Sequence, residues 1–237
     1  MNGKISAVAL TSLSLLAVTA RAIPTSGESS GQYYLVEATD LNSWHVGAYG
    51  RVHERKLKDH GQKIDMDLYR GDVFVGYDVF PWFALYGLVG LSDMEVKNVW
   101  GDSEDAVEWG IGGWFNLLDH DAMDFNELCD RFRIQAAVQY SVISNDKVDY
   151  GELSGNVTFG IVNEIRGSKE FWPENIALYA GPCVNYVNCD DYDQKSDNAV
   201  GLVVGLDVQL SKHVSFGASA EVYQDDTAYG GTVSVRF

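Results

Sequence analysis

The feature that most constrains the fold is a period of two that recurs along nearly the whole chain. From Phe132 to Val142 every second residue is apolar, and the residues between them are polar or small. The same alternation runs through 199–210, 215–223 and 229–237. Because successive side chains of a strand point to opposite faces, this pattern predicts long β-strands with one apolar face.

Ten segments of this kind follow one another. We predict strands at 43–57, 63–79, 83–99, 105–118, 131–144, 148–165, 176–189, 199–210, 215–223 and 229–237. Each is long enough to cross a bilayer at a tilt, which takes about 9–11 residues. An even number of strands returns both termini to the same side. Ten is therefore the predicted count, with eight as the alternative.

The first 22 residues have the pattern of a secretory signal peptide. Lys4 precedes an apolar run, and Ala20-Arg21-Ala22 provides small residues for cleavage after Ala22. Residues 23–42 are then a periplasmic segment and 43–237 the barrel domain. Beyond residue 22 no run approaches the ~20 apolar residues of a spanning helix. Such a chain is either soluble or a closed barrel, since only closure satisfies strand backbones in lipid.

The turns between these segments fall into two alternating sets. We expect the first set, 80–83, 119–130, 166–175 and 211–213, to face the periplasm, with a short helix in 119–130. Its aromatic residues suit a membrane interface: Phe80, Trp82, Phe83, Phe125, Phe171 and Trp172. The second set is mostly acidic and is expected to be extracellular: 58–62, 98–104, 145–147, 190–197 and 224–227.

The last segment carries a family resemblance. Tyr229, Val233 and Val235 lead to a terminal Phe237, and this ending resembles the closing strand of small Gram-negative outer-membrane β-barrel proteins of eight to ten strands. The resemblance covers nearly the whole chain after residue 22 and identifies no subfamily. It implies an antiparallel up-and-down transmembrane barrel, recognition of the ending by the barrel assembly machinery, and contact with outer-membrane lipid and lipopolysaccharide.

The charges point to a paired interior. With 34 acidic against 17 basic residues the net charge is −17, which disfavours nucleic-acid binding. The polar residues predicted to face inward are Arg70, Asp72, Asp78, Glu108, Arg133, Gln135, Glu164, Asp207, Gln209, Glu221 and Arg236. Because buried charges need partners, we predict a network that plugs the lumen, with Glu221 as a partner for Arg236. A narrow cation-preferring path is the alternative.

The chain offers few ligand sites, and we predict no cofactor and no metal. Asp190, Asp191 and Asp193 are weak calcium candidates, because they lack the spaced ligands and glycine of a calcium loop. The basic stretch 55–60 is read as a solvated hairpin tip, with contact to lipopolysaccharide phosphates as the alternative. Cys183 and Cys189 lie about 20 Å apart on a continuous strand. Isolated thiols are therefore favoured over a disulfide.

The leading functional interpretation is an outer-membrane barrel with a structural, surface-exposed or small porin-like role and no catalysis. One alternative is an outer-membrane hydrolase with its site at the extracellular rim. Of the five histidines only His53 and His60 would reach that end, and both are expected to be solvent-exposed hairpin residues. The second alternative is a soluble exported β-sandwich that binds a ligand. The aromatic residues in one set of turns and the acidic residues in the other favour the membrane barrel over the soluble sandwich.

Overall fold

The chain is all β in the computed structural model, which describes residues 44–59, 62–80, 82–96, 104–121, 131–144, 149–165, 173, 175–189, 194–195, 200–211, 213–224 and 226–237. The strands are β1 Trp44–Asp59, β2 Gln62–Phe80, β3 Phe83–Val96, β4 Glu104–Asp121, β5 Arg131–Ser144, β6 Asp149–Glu164, β7 Asn175–Cys189, β8 Gln194–Lys195, β9 Val200–Gln209, β10 Val214–Tyr223 and β11 Thr227–Arg236. No helix in these ranges has the length and apolar character that a membrane span requires.

The strands close into a ring. Every pairing is antiparallel, and β1 pairs with β11 from His45↔Arg236 to Glu54↔Thr227. On the far side β6 pairs with β7, and β7 continues to β9. The short β8 pairs only with the end of β7 and does not form part of the ring. The result is a closed up-and-down barrel of ten strands, which confirms the predicted fold class and makes the eight-strand and sandwich alternatives wrong.

The sequence pattern locates most strand ends within a few residues. The largest differences are three residues: β3 ends at Val96 instead of 99, and β4 continues to Asp121 instead of 118, with His120 paired to Phe132 of β5. The pair Gln194–Lys195 was not predicted and falls within the expected loop 190–197. The helix expected in 119–130 falls mostly on residues 122–130, outside the described residues.

The outer face of the barrel is apolar. Leu91, Leu178 and Leu202 are each 60% exposed or more, and the same face of every long strand carries similar side chains. An aromatic cluster surrounds the turn between β2 and β3, where Phe80 and Trp82 stack at 5.5 Å. Phe83 stacks on Phe115 at 4.8 Å in the same cluster. Exposed aromatic residues at one end of an apolar band are typical of a membrane-interface girdle. Phe125, Phe171 and Trp172 lie outside the described residues.

Glycines on the inner wall make room for aromatic rings. A Cβ on Gly112 would lie 2.3 Å from Cζ of Tyr86, and one on Gly205 would lie 2.2 Å from Cζ of Tyr179. Tyr86 is held in place, because its ring stacks on Trp114 at 4.2 Å and its hydroxyl donates to Gln139 at 2.9 Å.

We therefore expect Gly112→Ala to destabilise the barrel by about 1–3 kcal/mol, as overpacking does in rigid cores. The measurement is urea unfolding in lipid vesicles. Gly71→Ala is the matched control, since a Cβ there meets nothing within 4 Å. Equal stability of the two variants would contradict the expectation.

Candidate functional site

The candidate site is the charged interior of the barrel. Arg51 on β1 donates from Nη1 to Oε1 of Glu152 on β6 at 2.5 Å, and from Nη2 to Oε2 of Glu221 on β10 at 2.8 Å. Each of these side chains is at most 1% exposed. In the ring of ten strands, β1 and β6 lie five positions apart, on opposite walls. The Arg51–Glu152 bond therefore crosses the lumen.

Glu152 is the common acceptor of this interior. Besides Arg51 it accepts hydrogen bonds from Nη2 of Arg70, from Nδ2 of Asn185 at 2.7 Å and from the hydroxyl of Tyr150 at 3.1 Å. A carboxylate has acceptor sites for all four donors. Charge-assisted bonds of this kind are stronger than neutral ones. Glu152 thus joins two guanidinium groups that come from different strands.

Two further arginine contacts extend the network. Arg55 donates to the hydroxyl of Tyr150 at 2.7 Å and to Oδ1 of Asn185, and both of these residues donate to Glu152. On the other side, Arg70 donates to Oε1 of Glu108 at 3.2 Å. The lumen network, as we call it, consists of Arg51, Arg55, Arg70, Glu108, Tyr150, Glu152, Asn185 and Glu221.

Packed side chains fill the interior on both sides of the lumen network. Towards the end with the β1–β2 turn lie Met66, Leu68, Met94, Ala106, Ile143 and Val187, in contact with Tyr150 of the network. Towards the end with the β2–β3 turn lie Tyr49, Phe74, Ala84, Tyr86, Leu88, Trp114 and Ala137. In this second group Gln139 joins two rings, since it accepts from Tyr86 and donates to the Tyr49 hydroxyl at 3.2 Å. The lumen is therefore occupied at three successive levels.

A second ionic cluster lies where the last strand meets the first. Asp78 on β2 contacts Nε2 of His45 on β1 at 2.6 Å and accepts from Nη2 of Arg236 on β11 at 2.7 Å. We call these three residues the seam triad. The predicted Glu221–Arg236 pair is wrong. Glu221 lies opposite Ala228, eight positions before Arg236 and about 27 Å away along β11, and it bonds Arg51 instead.

The structure places the other residues predicted for the lumen as follows. Arg70, Asp72, Asp78, Glu108, Arg133, Asp207, Glu221 and Arg236 are buried, and Gln135 and Gln209 are half-buried. Direct pairs join Arg70 to Glu108 and Arg236 to Asp78. The side chain of Glu164 lies outside the described part.

Sequence reasoning omitted the centre of the lumen network from the predicted set. Arg51, Arg55 and Glu152 were not included, although each alternates in phase with buried neighbours on its strand. That phase was the signal that could have identified them. Arg51 and Arg55 share their phase with His45 and Tyr49, and Glu152 shares its phase with Ser154.

His53 is not the exposed hairpin residue that was expected. It is 1% exposed and its ring stacks on Tyr223 at 5.9 Å. The reason is that β1 continues to Asp59, so the hairpin tip lies well beyond His53. Neither ring nitrogen has a hydrogen-bond partner in the described part of the chain. His53 therefore forms no Asp–His dyad with a described carboxylate, and His60 lies outside the described residues.

Several further predicted positions can be located. Cys183 is a buried free thiol, and the side chain of Cys189 lies outside the described part. Tyr229, Val233 and Phe237 are exposed on the outer face of the last strand and Val235 is half-buried there. The calcium candidates Asp190, Asp191 and Asp193 and the signal peptide are outside the described residues. In the ranges that are described, no group of three or more His, Cys, Asp or Glu could hold a metal ion.

Comparison with known proteins shows a similarity in fold alone. No protein-family model matches the chain, and no curated protein matches it. Among solved structures, the COG4313 outer membrane channel from Pseudomonas putida F1 is 8% identical, with 83% of this chain and 95% of that chain covered and a TM-score of 0.46. The β domain of the Bordetella autotransporter BrkA is 10% identical, with 84% and 100% covered and a TM-score of 0.47.

A third match is the outer membrane protease OmpT from Escherichia coli, 11% identical over 85% of this chain and 98% of that chain, with a TM-score of 0.40. This chain has the fold of an outer-membrane β-barrel. That statement rests on the closed ring of ten strands described above. At such low identities the matches carry no information about activity, and no subfamily is identified.

Proposed function

We propose that the chain is an integral outer-membrane protein with a closed, non-conducting lumen and a structural or surface-exposed role. The observation that carries the proposal is the Arg51–Glu152 bond across the barrel, in which both side chains are 1% exposed. An aqueous pore would hydrate charges of this kind. Their exclusion from solvent, with packed side chains on both sides, favours a plug over a small porin.

The outer surface of the barrel supports a location in the outer membrane. Large apolar side chains such as Val89, Leu91 and Trp109 are more than half exposed on the outer wall. An apolar surface that continues around the outer wall is stable in contact with the hydrocarbon of a membrane. Export through the leader ending at Ala22, contact with lipopolysaccharide and recognition of the Phe237 ending by the assembly machinery belong to the same proposal.

The absence of catalysis is also part of the proposal. Hydrolysis at the outer rim requires a positioned base next to a nucleophile or an activated water. His53, one of the two histidines considered for that role, is buried against Tyr223, and the other, His60, lies outside the described residues. We therefore expect the purified barrel and its His53→Ala and His60→Ala variants to show the same background in protease and lipid A deacylase assays. Activity that disappears in either variant would favour the hydrolase.

Planar bilayer recordings test the plug. We expect the folded wild-type protein to give no steady conductance, because side chains from opposite walls meet in the lumen. The Arg51→Ala/Glu152→Ala double variant removes both ends of the crossing but leaves the packed levels on either side of it, so it is expected to stay closed as well. A change in gel mobility on boiling verifies that each sample is folded. A steady ion conductance of the wild-type barrel would contradict the proposal.

A further inference from the structure

Two buried carboxylates lie on the strands to either side of a glycine in the lumen. In cross-strand register, Asp72 on β2 is opposite Gly90 on β3, and Gly90 is opposite Glu108 on β4. A Cβ on Gly90 would lie 2.3 Å from Oδ1 of Asp72. The Asp72 carboxylate therefore lies over the glycine, on the side of Glu108. Glu108 and Arg70 are the charged neighbours of Asp72.

These carboxylates lack part of their hydrogen bonding. Asp72 is 3% exposed, and neither of its oxygens has a hydrogen-bond partner at normal geometry among the described residues, although the hydroxyl of Tyr49 faces its carboxylate. Glu108 is 0% exposed, and its Oε2 also has no partner, while its Oε1 faces Arg70. Buried carboxylate oxygens without donors are strongly unfavourable. Apart from the hydroxyls of Tyr49 and Ser141 that face the two carboxylates, the described residues supply no donor to Asp72 or to Oε2 of Glu108.

The charges at this level are not balanced. We count the charges of Asp72 and of the lumen network, all of which are described residues. The positive charges are the guanidinium groups of Arg51, Arg55 and Arg70. The carboxylates are those of Asp72, Glu108, Glu152 and Glu221. Four carboxylates against three arginines leave one negative charge in a water-poor interior, where an unpaired charge is strongly unfavourable.

We propose that Asp72 and Glu108 form a proton-binding site that holds one proton in the folded barrel. The proton balances the remaining charge and gives one carboxylate an O–H donor of its own. Asp72 is the main carrier, since Glu108 bonds Arg70. This site goes beyond the proposed plug, because it assigns a bound ligand to two residues of the interior.

The surroundings favour a proton over a metal ion. The titratable or charged groups that face the pair are Tyr49 and Arg51 on β1, Arg70 on β2 and Glu152 on β6, with the hydroxyl of Ser141 on β5. Two guanidinium groups repel a metal cation at this position. The space above Gly90 is already occupied by Asp72 itself, which leaves little room for the six or more oxygen ligands that Mg²⁺ or Ca²⁺ takes.

The first experiment measures stability against pH. Urea unfolding of wild type and Asp72→Asn in lipid vesicles is followed from about pH 5 to pH 9, above the range where unfolded carboxyls titrate. Because only the folded state keeps the proton, the wild-type folding constant should fall relative to that of Asp72→Asn by about tenfold per pH unit, until the folded barrel releases the proton. Asp105→Asn, an exposed change on β4, should follow the wild type.

The second experiment needs no variant to fold. Infrared spectra of the folded wild-type barrel near neutral pH should contain the carbonyl band of a protonated carboxylic acid, and the band should disappear on alkaline titration. Replacing NaCl by choline chloride should leave both results unchanged. A wild-type spectrum without this band, parallel pH profiles of wild type and Asp72→Asn, or stabilisation that depends on sodium would overturn the proposal.

Discussion

Replacing Glu152 by alanine is expected to lower the free energy of unfolding by about 3–5 kcal/mol, the usual cost of breaking a buried ion pair from one side. Arg51 and Arg70 would lose the carboxylate that they share. Tyr150 and Asn185, which donate to the same carboxylate, would lose their acceptor. Urea unfolding of the vesicle-inserted barrel, followed by tryptophan fluorescence, measures the difference.

Asp105→Ala is the control for Glu152→Ala, because it also removes a carboxylate, but from the exposed end of β4. Surface changes of this kind stay within about 0.5 kcal/mol. If Glu152→Ala cost less than about 1 kcal/mol, Glu152 would not be the common acceptor that its four donors indicate.

Replacing Asp78 by alanine is expected to have a similar effect, about 3–5 kcal/mol, located at the closure of the barrel. Asp78 links His45 on the first strand to Arg236 on the last, so its loss leaves Arg236 without this carboxylate partner beside the seam. The measurement is the fraction of protein that keeps folded mobility on unheated gels as urea increases.

Two further variants serve as comparisons for Asp78→Ala. Asp78→Asn keeps an oxygen acceptor for Arg236 and should be intermediate. Asp65→Ala removes an exposed carboxylate from the same strand and should resemble the wild type. An Asp78→Ala barrel that is as stable as Asp65→Ala would show that the seam triad contributes nothing to closure.

The architecture was predictable because one physical constraint repeats in every strand. Alternation with a period of two assigns a face to each side chain, and turn residues mark where the chain reverses. The strand 131–144 was predicted with both ends correct. Closure of the barrel was predictable from the apolar face on every segment. Such strands lie in lipid, where the backbone N–H and C=O groups on both edges of each strand need hydrogen-bond partners.

The pairs inside the lumen were less predictable. Alternation places Glu221 and Arg236 on the inner face, but it does not give the height of one strand relative to another. That height depends on the tilt and stagger of the closed ring. Arg51 and Glu152 are 101 residues apart in sequence and meet only because their strands lie on opposite walls at the same level. The buried position of His53 depends in the same way on how far β1 extends.

The seam brings the ends of the described barrel together. The backbone N–H of Phe237 donates to the carbonyl of Trp44 at 2.9 Å, so a short linker could join these residues. A circular permutant opened at the turn between β9 and β10 would then keep the strand neighbours of the ring, and its last strand would end at Leu210. Such a permutant retains the pairing of β11 with β1 but no longer ends in an aromatic residue. It would therefore separate strand pairing from the proposed assembly signal.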